Sequence, residues 1–183
     1  MPDARGARLI RPGAGRSSRV ALSLVMLLGA VLLVLGNRAL RTAELVVSGG
    51  VVSLGAGHTV LYRPGHFIFF ETSASRTVGL QVTASCTAIF LMVPFLLLAA
   101  FMMLIPRVSA TRLVVAAVVG AVVVFWLNQL RLLIIAWATH NWGIGPGFDW
   151  SHILAGSLVT TFSMLIALYL FFRISLTGRR SAV

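Results

Sequence analysis

The sequence predicts an all-α integral membrane protein: a bundle of about four transmembrane helices, with a fifth crossing left open, and a small extracytoplasmic β-hairpin before the second main span. Hydrophobic residues make up 58% of the 183 residues and charged residues only 10%, whereas a soluble domain carries about 25% charged residues. Several apolar runs approach the roughly 20 residues that cross a bilayer. Short stretches rich in β-branched and aromatic residues, which favour strands, follow the first run.

Four apolar runs are predicted to be spans. They extend from about Val20 to Gly36, from Cys86 to Ile105, from Leu113 to Thr139 and from about His152 to Phe172. The first follows a basic leader and resembles a signal peptide, but it lacks a convincing small-x-small cleavage site, so we expect it to remain as an anchor. The third is the longest and must tilt or project beyond the bilayer.

The positions of the arginines predict the orientation of these spans. Five arginines precede the first span, two lie between the second and the third, and three follow the fourth. Placing these ten in the cytoplasm satisfies the positive-inside rule. The loop HNWGIGPGFDWS has no arginine and is expected outside. Residues 37–85 are also expected outside despite their four arginines, because longer loops cross largely regardless of charge.

This orientation divides the chain into five predicted parts. Residues 1–19 form a basic cytoplasmic leader, 20–36 the first transmembrane anchor, 37–85 an extracytoplasmic or interfacial segment, 86–172 a three-span core and 173–183 a basic cytoplasmic tail. The core carries the polar residues that lie inside or beside the later spans.

The extracytoplasmic segment mixes two patterns. AELVVSGGVVSLGAG favours a short interfacial helix, and whether residues 43–57 cross, re-enter or lie flat is left open. HTVLY, HFIFF and TVGLQVT are separated by turn-forming residues. In the last stretch Val78, Leu80 and Val82 alternate with small or polar residues, which is the pattern of a half-buried strand. We therefore expect a hairpin that leads into Cys86.

Net charge and cysteine content exclude several classes. The formal net charge is +11, but the arginines lie near the ends of apolar runs and not along one polar face, so they indicate topology and not nucleic-acid binding. Cys86 is the single cysteine, which excludes an intramolecular disulfide and a CxxC redox pair. The sequence has no dense His/Cys/Asp cluster, and no metal or organic cofactor is expected.

The run FWLNQLRLLIIAWAT places Asn128 and Arg131 inside the third predicted span. A charge at the centre of a spanning helix costs about 2.5–3.5 kcal/mol on insertion scales, so it usually faces a protein interior. Arg131 lies about eight residues, or roughly 12 Å of helix rise, before the outer end of its span. Cys86 and His152 open their spans from outside. The three side chains are therefore predicted to meet in one layer just under the outer surface.

These three residue types suit one kind of chemistry. A thiol becomes a good nucleophile beside His⁺ or Arg⁺, and a histidine can pass a proton to a leaving amine. A fixed guanidinium can stabilise the oxyanion of a tetrahedral intermediate in a site of low dielectric. The predicted catalytic residues Cys86, Arg131 and His152 together indicate acyl transfer through a thioester.

Each residue also has a simpler interpretation. Cys86 can be a small apolar filler, and His152 an interfacial polar residue. Asn128 lies one turn before Arg131, where it can orient the guanidinium or bond a neighbouring helix. Asp149 is a candidate structural counter-ion in the outer loop. Three further residues fit an interfacial belt: His140, Trp142 and Trp150.

Other classes of membrane protein remain as alternatives. A non-catalytic scaffold or assembly subunit would use Arg131 and Asn128 to lock helices together. A small transporter fits less well, because one intramembrane charge makes a thin pathway and no repeat appears. An aspartyl protease needs two acids near one depth, and the four acids lie far apart in the sequence. No zinc motif such as H-E-x-x-H is present.

The order of these motifs resembles the exosortase/archaeosortase family of membrane cysteine transpeptidases. A cysteine enters one span (SCTAIF), N-x-x-R lies in the next (NQLRLL), and a histidine opens the one after with a glycine four residues on (SHILAGS). The resemblance covers roughly Thr77 to Phe172 and adds Asn128 and Gly156 as supporting residues. It departs from the family's usual C-S-G-x-R at Thr87 and Ala88, which together with the short chain indicates a divergent member.

The resemblance implies a protease-like step in a prokaryotic cytoplasmic membrane, with the active site facing outside. The implied substrate is an exported protein whose carboxy-terminal sorting signal comprises a short motif, an apolar span and a basic tail. Cys86 would attack the carbonyl at the motif, Arg131 would stabilise the oxyanion or position the substrate, and His152 would act as general acid and base. The acceptor would be a lipid or cell-envelope amine or hydroxyl, or water, and no metal or cofactor is implied.

Overall fold

The structure is a computed structural model that describes residues 14–83, 86–106 and 108–177. Most of the predicted leader and the end of the predicted tail lie outside these ranges. The elements follow in the order α1 (Ala14–Leu35), α2 (Asn37–Ala56), β1 (Thr59–Tyr62), β2 (Phe67–Glu71), β3 (Thr77–Gln81), α3 (Ala88–Met103), α4 (Ala110–Trp142), two π-helical segments (Gly143–Asp149 and Ser151–Ala155) and α5 (Gly156–Leu176). The predicted all-α membrane protein with a small β segment is confirmed.

The described part of the chain contains four stretches that are long and apolar enough to cross a membrane. They are Arg16–Leu35, Asn37–Ala56, Ala110–Asp149 and Ser151–Leu176. Two details differ from the predicted spans. The second predicted span is a shorter apolar helix of 16 residues, α3, because a capped turn precedes it. The predicted short interfacial helix is instead the 20-residue α2.

Helices α1 and α2 are joined through Gly36 without a reversal of the chain. Gly36 N donates to Leu32 O at 2.8 Å and Leu40 N donates to Gly36 O at 3.1 Å, so helical hydrogen bonds continue on both sides of the junction. The two helices together rise about 60 Å, which is twice the hydrocarbon thickness of a bilayer. If α1 crosses the membrane, α2 extends beyond it. The assignment of residues 37–85 to the outer side stays a prediction.

Helix α3 lies antiparallel to α1, and polar contacts hold the two together. The Arg19 guanidinium donates to Ile105 O at 3.0 Å and to Val108 O at 2.8 Å, just beyond the end of α3. Ser23 Oγ donates to Ala100 O at 2.9 Å. A cation at the carboxyl end of a helix satisfies carbonyls that have no intrahelical partner. The start of α1 is thereby held against the end of α3.

The three strands form one antiparallel sheet in the order β1-β2-β3. The predicted hairpin is therefore a three-stranded meander. The predicted alternation of β3 is confirmed, since Leu80 and Val82 are buried while Gly79 and Gln81 are exposed. A Cβ at Gly79 would lie 2.7 Å from the ring of Phe69, so glycine is required beneath that ring.

Two hydrophobic cores lie along α4. The bundle core is formed by α3, α4, α5 and the start of the α3–α4 connection: Phe95, Ala99, Met102, Met103, Val108, Leu113, Ala116, Ala117, Val124, Ala167 and Phe171. The sheet-side core is formed by α2, the sheet, the approach to α3 and the later part of α4: Leu45, Val52, Ala56, Ile68, Phe70, Leu80, Val82, Cys86, Leu132, Ile135 and Ala136. The polar residues predicted for the site lie in or beside the sheet-side core.

Candidate active site

Cys86 lies between the sheet and α3, two residues before the helix begins. Its side chain is 7% exposed and belongs to the sheet-side core, which also contains Leu132 and Ile135 of α4. Cys86 N donates to Thr83 O at 3.0 Å, and the Thr83 hydroxyl donates to Sγ at 3.4 Å. Two hydrogen bonds with Thr83, two residues after β3, therefore orient Cys86 and its sulfur.

The first turn of α3 is capped from two sides. Thr87 is the N-cap, and its Oγ1 accepts from Ile89 N at 3.3 Å. The same hydroxyl donates to Glu44 Oε2 of α2, and Ala88 N donates to Glu44 Oε1 at 3.0 Å. Threonine is a favoured N-cap, and a carboxylate is stabilised near the positive end of a helix. Thr87 and Ala88, the two residues that depart from the family pattern, are thus the residues that bind Glu44 of α2.

Asn128 of α4 binds the backbone of the candidate nucleophile. Its Nδ2 donates to Cys86 O at 2.9 Å and to Glu44 Oε1 at 3.2 Å. Of the two roles expected for this residue, the contact to a neighbouring element is the one observed. The Oδ1 atom is buried and has no hydrogen-bond partner within the described ranges. Asn128 therefore ties Cys86 to α4 one turn before Arg131.

Arg131 is 9% exposed and lies on the face of α4 that α5 covers. A Cβ at Gly156 would lie 3.0 Å from Nε and 3.4 Å from Nη2 of Arg131, so the predicted supporting glycine directly faces the guanidinium. Nε is buried without a hydrogen-bond partner among the residues that the structure describes. In that same part of the chain no carboxylate pairs with Arg131, and Asp149, the expected counter-ion, is exposed.

His152 is half-buried in the π-helical segment that precedes α5. It was expected to open the helix, but α5 begins four residues later, at Gly156. The imidazole stacks on Phe148 with the ring centroids 5.0 Å apart and the planes 20° apart. Phe148 packs against the sheet-side core that contains Cys86. The histidine is thus held at the edge of the same core.

Three contacts fix the loop that carries His152. Gly143 has a positive φ of 79° and ends α4, with its N–H bonded to Thr139 O. Ser151 Oγ donates to Gly147 O at 2.5 Å. Gly147 approaches the Ala138 carbonyl so closely that a side chain has no space there. These contacts bend the chain from α4 into α5 and place Gly156 on Arg131.

The three predicted catalytic residues are therefore gathered by shared neighbours and not by direct bonds. Asn128 joins Cys86 to the turn of α4 that precedes Arg131, and Gly156 joins Arg131 to α5 one turn after His152. Across the described ranges, no hydrogen bond links the thiol, the guanidinium and the imidazole to one another.

Sequence reasoning missed Glu44. It was counted only as one of four scattered acids, yet it is 5% exposed and accepts hydrogen bonds from Thr87 and Ala88, which follow Cys86, and from Asn128 of α4. An acid within the otherwise apolar AELVVSGG was the available signal. Its partners are 43, 44 and 84 residues away, so spacing within the sequence does not reveal them.

The residues expected to form an interfacial belt lie around the end of α4. Trp142 and Trp150 are 58% and 68% exposed. His140 is more engaged than expected, since its Nδ1 lies 2.6 Å from Glu71 O and its carbonyl accepts from Ser73 N. His140 thereby fastens the sheet to the end of α4, and the belt itself stays a prediction.

Comparison with known proteins bears on this arrangement. The family model of the transmembrane exosortases matches residues 54–169, which is more than half of the chain and includes Cys86, Arg131 and His152. No curated protein and no solved structure matches the sequence. The match begins within α2 and ends within α5, so it takes in the sheet, the candidate site and the helices around it. The chain therefore belongs to the transmembrane exosortase family, a family of membrane-embedded transpeptidases.

Proposed function

We propose that this protein is a thiol transpeptidase that removes the carboxy-terminal sorting signal of exported proteins at the outer face of the cytoplasmic membrane. The observation that carries the proposal is the buried Nε of Arg131, which has no hydrogen-bond partner among the described residues and lies one helical turn from the amide that binds Cys86 O. A buried charge without a partner is costly. Its retention is accounted for if a negative charge forms beside it during the reaction.

In the first step His152 takes the proton of the Cys86 thiol, and the resulting thiolate attacks the carbonyl carbon at the cleavage motif. A carbon–sulfur bond forms, and the carbonyl oxygen becomes an oxyanion that the Arg131 guanidinium stabilises. The intermediate collapses to a thioester when the carbon–nitrogen bond breaks. His152 donates the proton that the leaving amine needs, and the sorting-signal tail departs with a free amino terminus.

The second step reverses the roles of these groups. An amine or hydroxyl acceptor from a lipid or the cell envelope, or water, attacks the thioester carbonyl while His152 accepts its proton. Arg131 stabilises the second oxyanion, and the sulfur leaves as thiolate. The Thr83 hydroxyl, which donates to Sγ, orients the sulfur in both steps. The outer location rests on the distribution of arginines along the chain.

A non-catalytic scaffold is the second candidate. It is favoured by the hydrogen bonds of Asn128 and Glu44, which join α2, the start of α3 and α4 and would lock helices without any chemistry. A scaffold would not need the Cys86 thiol for its function. Replacing Cys86 therefore separates the two functions.

The test compares cells that make the wild-type protein with cells that make Cys86→Ser. In the wild type, mass spectrometry of envelope proteins should find a set that has lost a carboxy-terminal apolar segment and its basic tail, and Cys86 should carry a hydroxylamine-sensitive thioester. In Cys86→Ser both should disappear while the protein still inserts, because a hydroxyl is far less nucleophilic than a thiolate. Unchanged processing in Cys86→Ser would show that the protein is not a thiol transpeptidase.

A further inference from the structure

The carboxylate of Glu44 takes no part in the mechanism above, yet it is 5% exposed in a strongly basic protein. Within the described ranges it forms no ion pair with an arginine or histidine. Burying an acid without a cation is costly unless hydrogen-bond donors surround it. The three groups that donate hydrogen bonds to Glu44 therefore indicate the role of its carboxylate.

All three donors belong to the surroundings of Cys86. Oε1 accepts from Ala88 N at 3.0 Å and from Asn128 Nδ2 at 3.2 Å, and Oε2 accepts from the Thr87 hydroxyl. Thr87 and Ala88 follow Cys86 directly in the chain. Glu44 thus binds the two residues that follow Cys86, and it also binds the Asn128 amide, which in turn binds the Cys86 carbonyl.

Glu44 also determines which way the amide of Asn128 faces. A carboxylate only accepts, so the NH₂ group and not the carbonyl oxygen must face Glu44. The same NH₂ group donates to Cys86 O at 2.9 Å. The Oδ1 atom is then left as a buried acceptor without a partner in the described part of the chain, one turn from the unpaired Nε of Arg131.

We propose that Glu44 is a positioning residue that holds Cys86 and Asn128 in register with Arg131. An effect of Glu44 on catalysis rests on the proposed function, whereas its effect on the position of Cys86 does not. Hydrogen bonds to an ionised group are stronger than those between neutral groups. Loss of the carboxylate frees the turn before α3, and the buried thiol becomes accessible.

The test measures the rate at which N-ethylmaleimide alkylates Cys86 in the full-length protein purified in detergent. Cys86 is the single cysteine, so all labelling reports on this position. Glu44→Ala should raise the rate roughly tenfold, because it removes an acceptor shared by three donors. Glu44→Gln should stay near the wild-type rate, since its amide oxygen can still accept from Ala88 N and Asn128.

Ser48→Ala is the matched control. Ser48 lies one turn after Glu44 on α2 and also joins α2 to α4, through a 2.8 Å hydrogen bond to Gln129 Oε1. Within the described ranges its side chain forms no hydrogen bond with Cys86, Thr87 or Ala88. This variant should keep the wild-type rate. Equal rates in Glu44→Ala and Ser48→Ala, or a wild-type rate in Glu44→Ala, would overturn the proposal.

If Glu44→Ala fails to fold, Thr87→Val and Thr87→Ser carry the same test. Valine keeps the shape but removes the hydroxyl that donates to Glu44, whereas serine keeps the donor. Faster alkylation in Thr87→Val than in Thr87→Ser supports the proposal, and equal rates in the two variants count against it.

Processing of exported proteins separates this inference from the proposed function. If Cys86→Ser abolishes processing while Glu44→Ala alkylates and processes like the wild type, the positioning role is wrong and the transpeptidase stands. If Cys86→Ser processes normally while Glu44→Ala still accelerates alkylation, the transpeptidase is wrong and the positioning of Cys86 stands. Loss of processing in Glu44→Ala with recovery in Glu44→Gln supports both.

Discussion

The bundle core and the sheet-side core share helix α4 but contain different buried polar groups. Beside the bundle core, Ser23 donates to the Ala100 carbonyl of a neighbouring helix, a small hydroxyl that satisfies a backbone oxygen. Beside the sheet-side core lie a carboxylate, an amide and a guanidinium, those of Glu44, Asn128 and Arg131. Intramembrane serines often serve helix packing, whereas buried ionisable groups indicate function by default. One helix therefore has a packing end, around Gly120, and a chemical end, around Asn128 and Arg131, where the proposed reaction would take place.

The glycines of the two regions differ in the same way. A Cβ at Gly120 would lie 3.3 Å from the Phe95 ring, so this glycine admits an apolar side chain. A Cβ at Gly156 would lie 3.0 Å from Arg131 Nε, so that glycine admits a charged group. Close helix approach is used for packing at one end of α4 and for holding a cation at the other. Variants at the two ends should therefore fail differently.

The largest effect is expected for Arg131→Lys. Lysine keeps the charge but loses the planar, multi-donor guanidinium. Thioester formation on Cys86 should fall roughly 100-fold, close to the loss in Arg131→Ala, because removing an oxyanion donor costs about 10²–10³ in rate. The measurement is the amount of hydroxylamine-sensitive adduct per inserted protein. Near wild-type adduct in Arg131→Lys would mean that charge alone suffices and that the chemical end does not depend on guanidinium geometry.

An intermediate effect is expected for Gly156→Ala. The added methyl group reaches the guanidinium and must displace it by a few tenths of an ångström. Small misplacements at a reacting centre are costly, and processing of exported proteins should slow roughly tenfold while the protein still inserts.

Gly29→Ala is the control for this substitution, because no atom lies within 4 Å of a Cβ at that position in α1. Alanine there should leave processing unchanged and favour the helix slightly. If both variants slow processing to the same degree, contact with Arg131 is not the cause.

The smallest effect is expected for Ser23→Ala in α1, beside the bundle core. The variant loses the hydrogen bond to Ala100 O, and interhelical hydrogen bonds in membrane proteins average about 0.6 kcal/mol. The free energy of unfolding in detergent should fall by about that amount, with processing unchanged. Lost processing without lost stability would contradict the assignment of the bundle core to packing alone.

The sequence allowed much of the fold to be predicted, and part of the site. The four apolar runs all form helices, and the alternation of Leu80 and Val82 predicted the buried face of β3. Arg131 stood out because a charge within an apolar run is costly wherever it lies. The extent of α2 was not predicted, because its glycines and serines weaken the helical signal and packing against α4 and the sheet outweighs it.

Composition and local periodicity were sufficient to identify a membrane protein with a thiol, an intramembrane guanidinium and an imidazole, because burial in lipid and side-chain alternation act over neighbouring residues. The partners of Glu44, the direction in which the Asn128 amide faces and the contact of Gly156 with Arg131 all join residues from different elements. Such contacts depend on how the helices pack, since a buried acceptor takes whichever donor the fold brings within about 3 Å. Local sequence thus specified the reactive groups. Helix packing specified which polar atoms have a hydrogen-bond partner within the described residues and which have none.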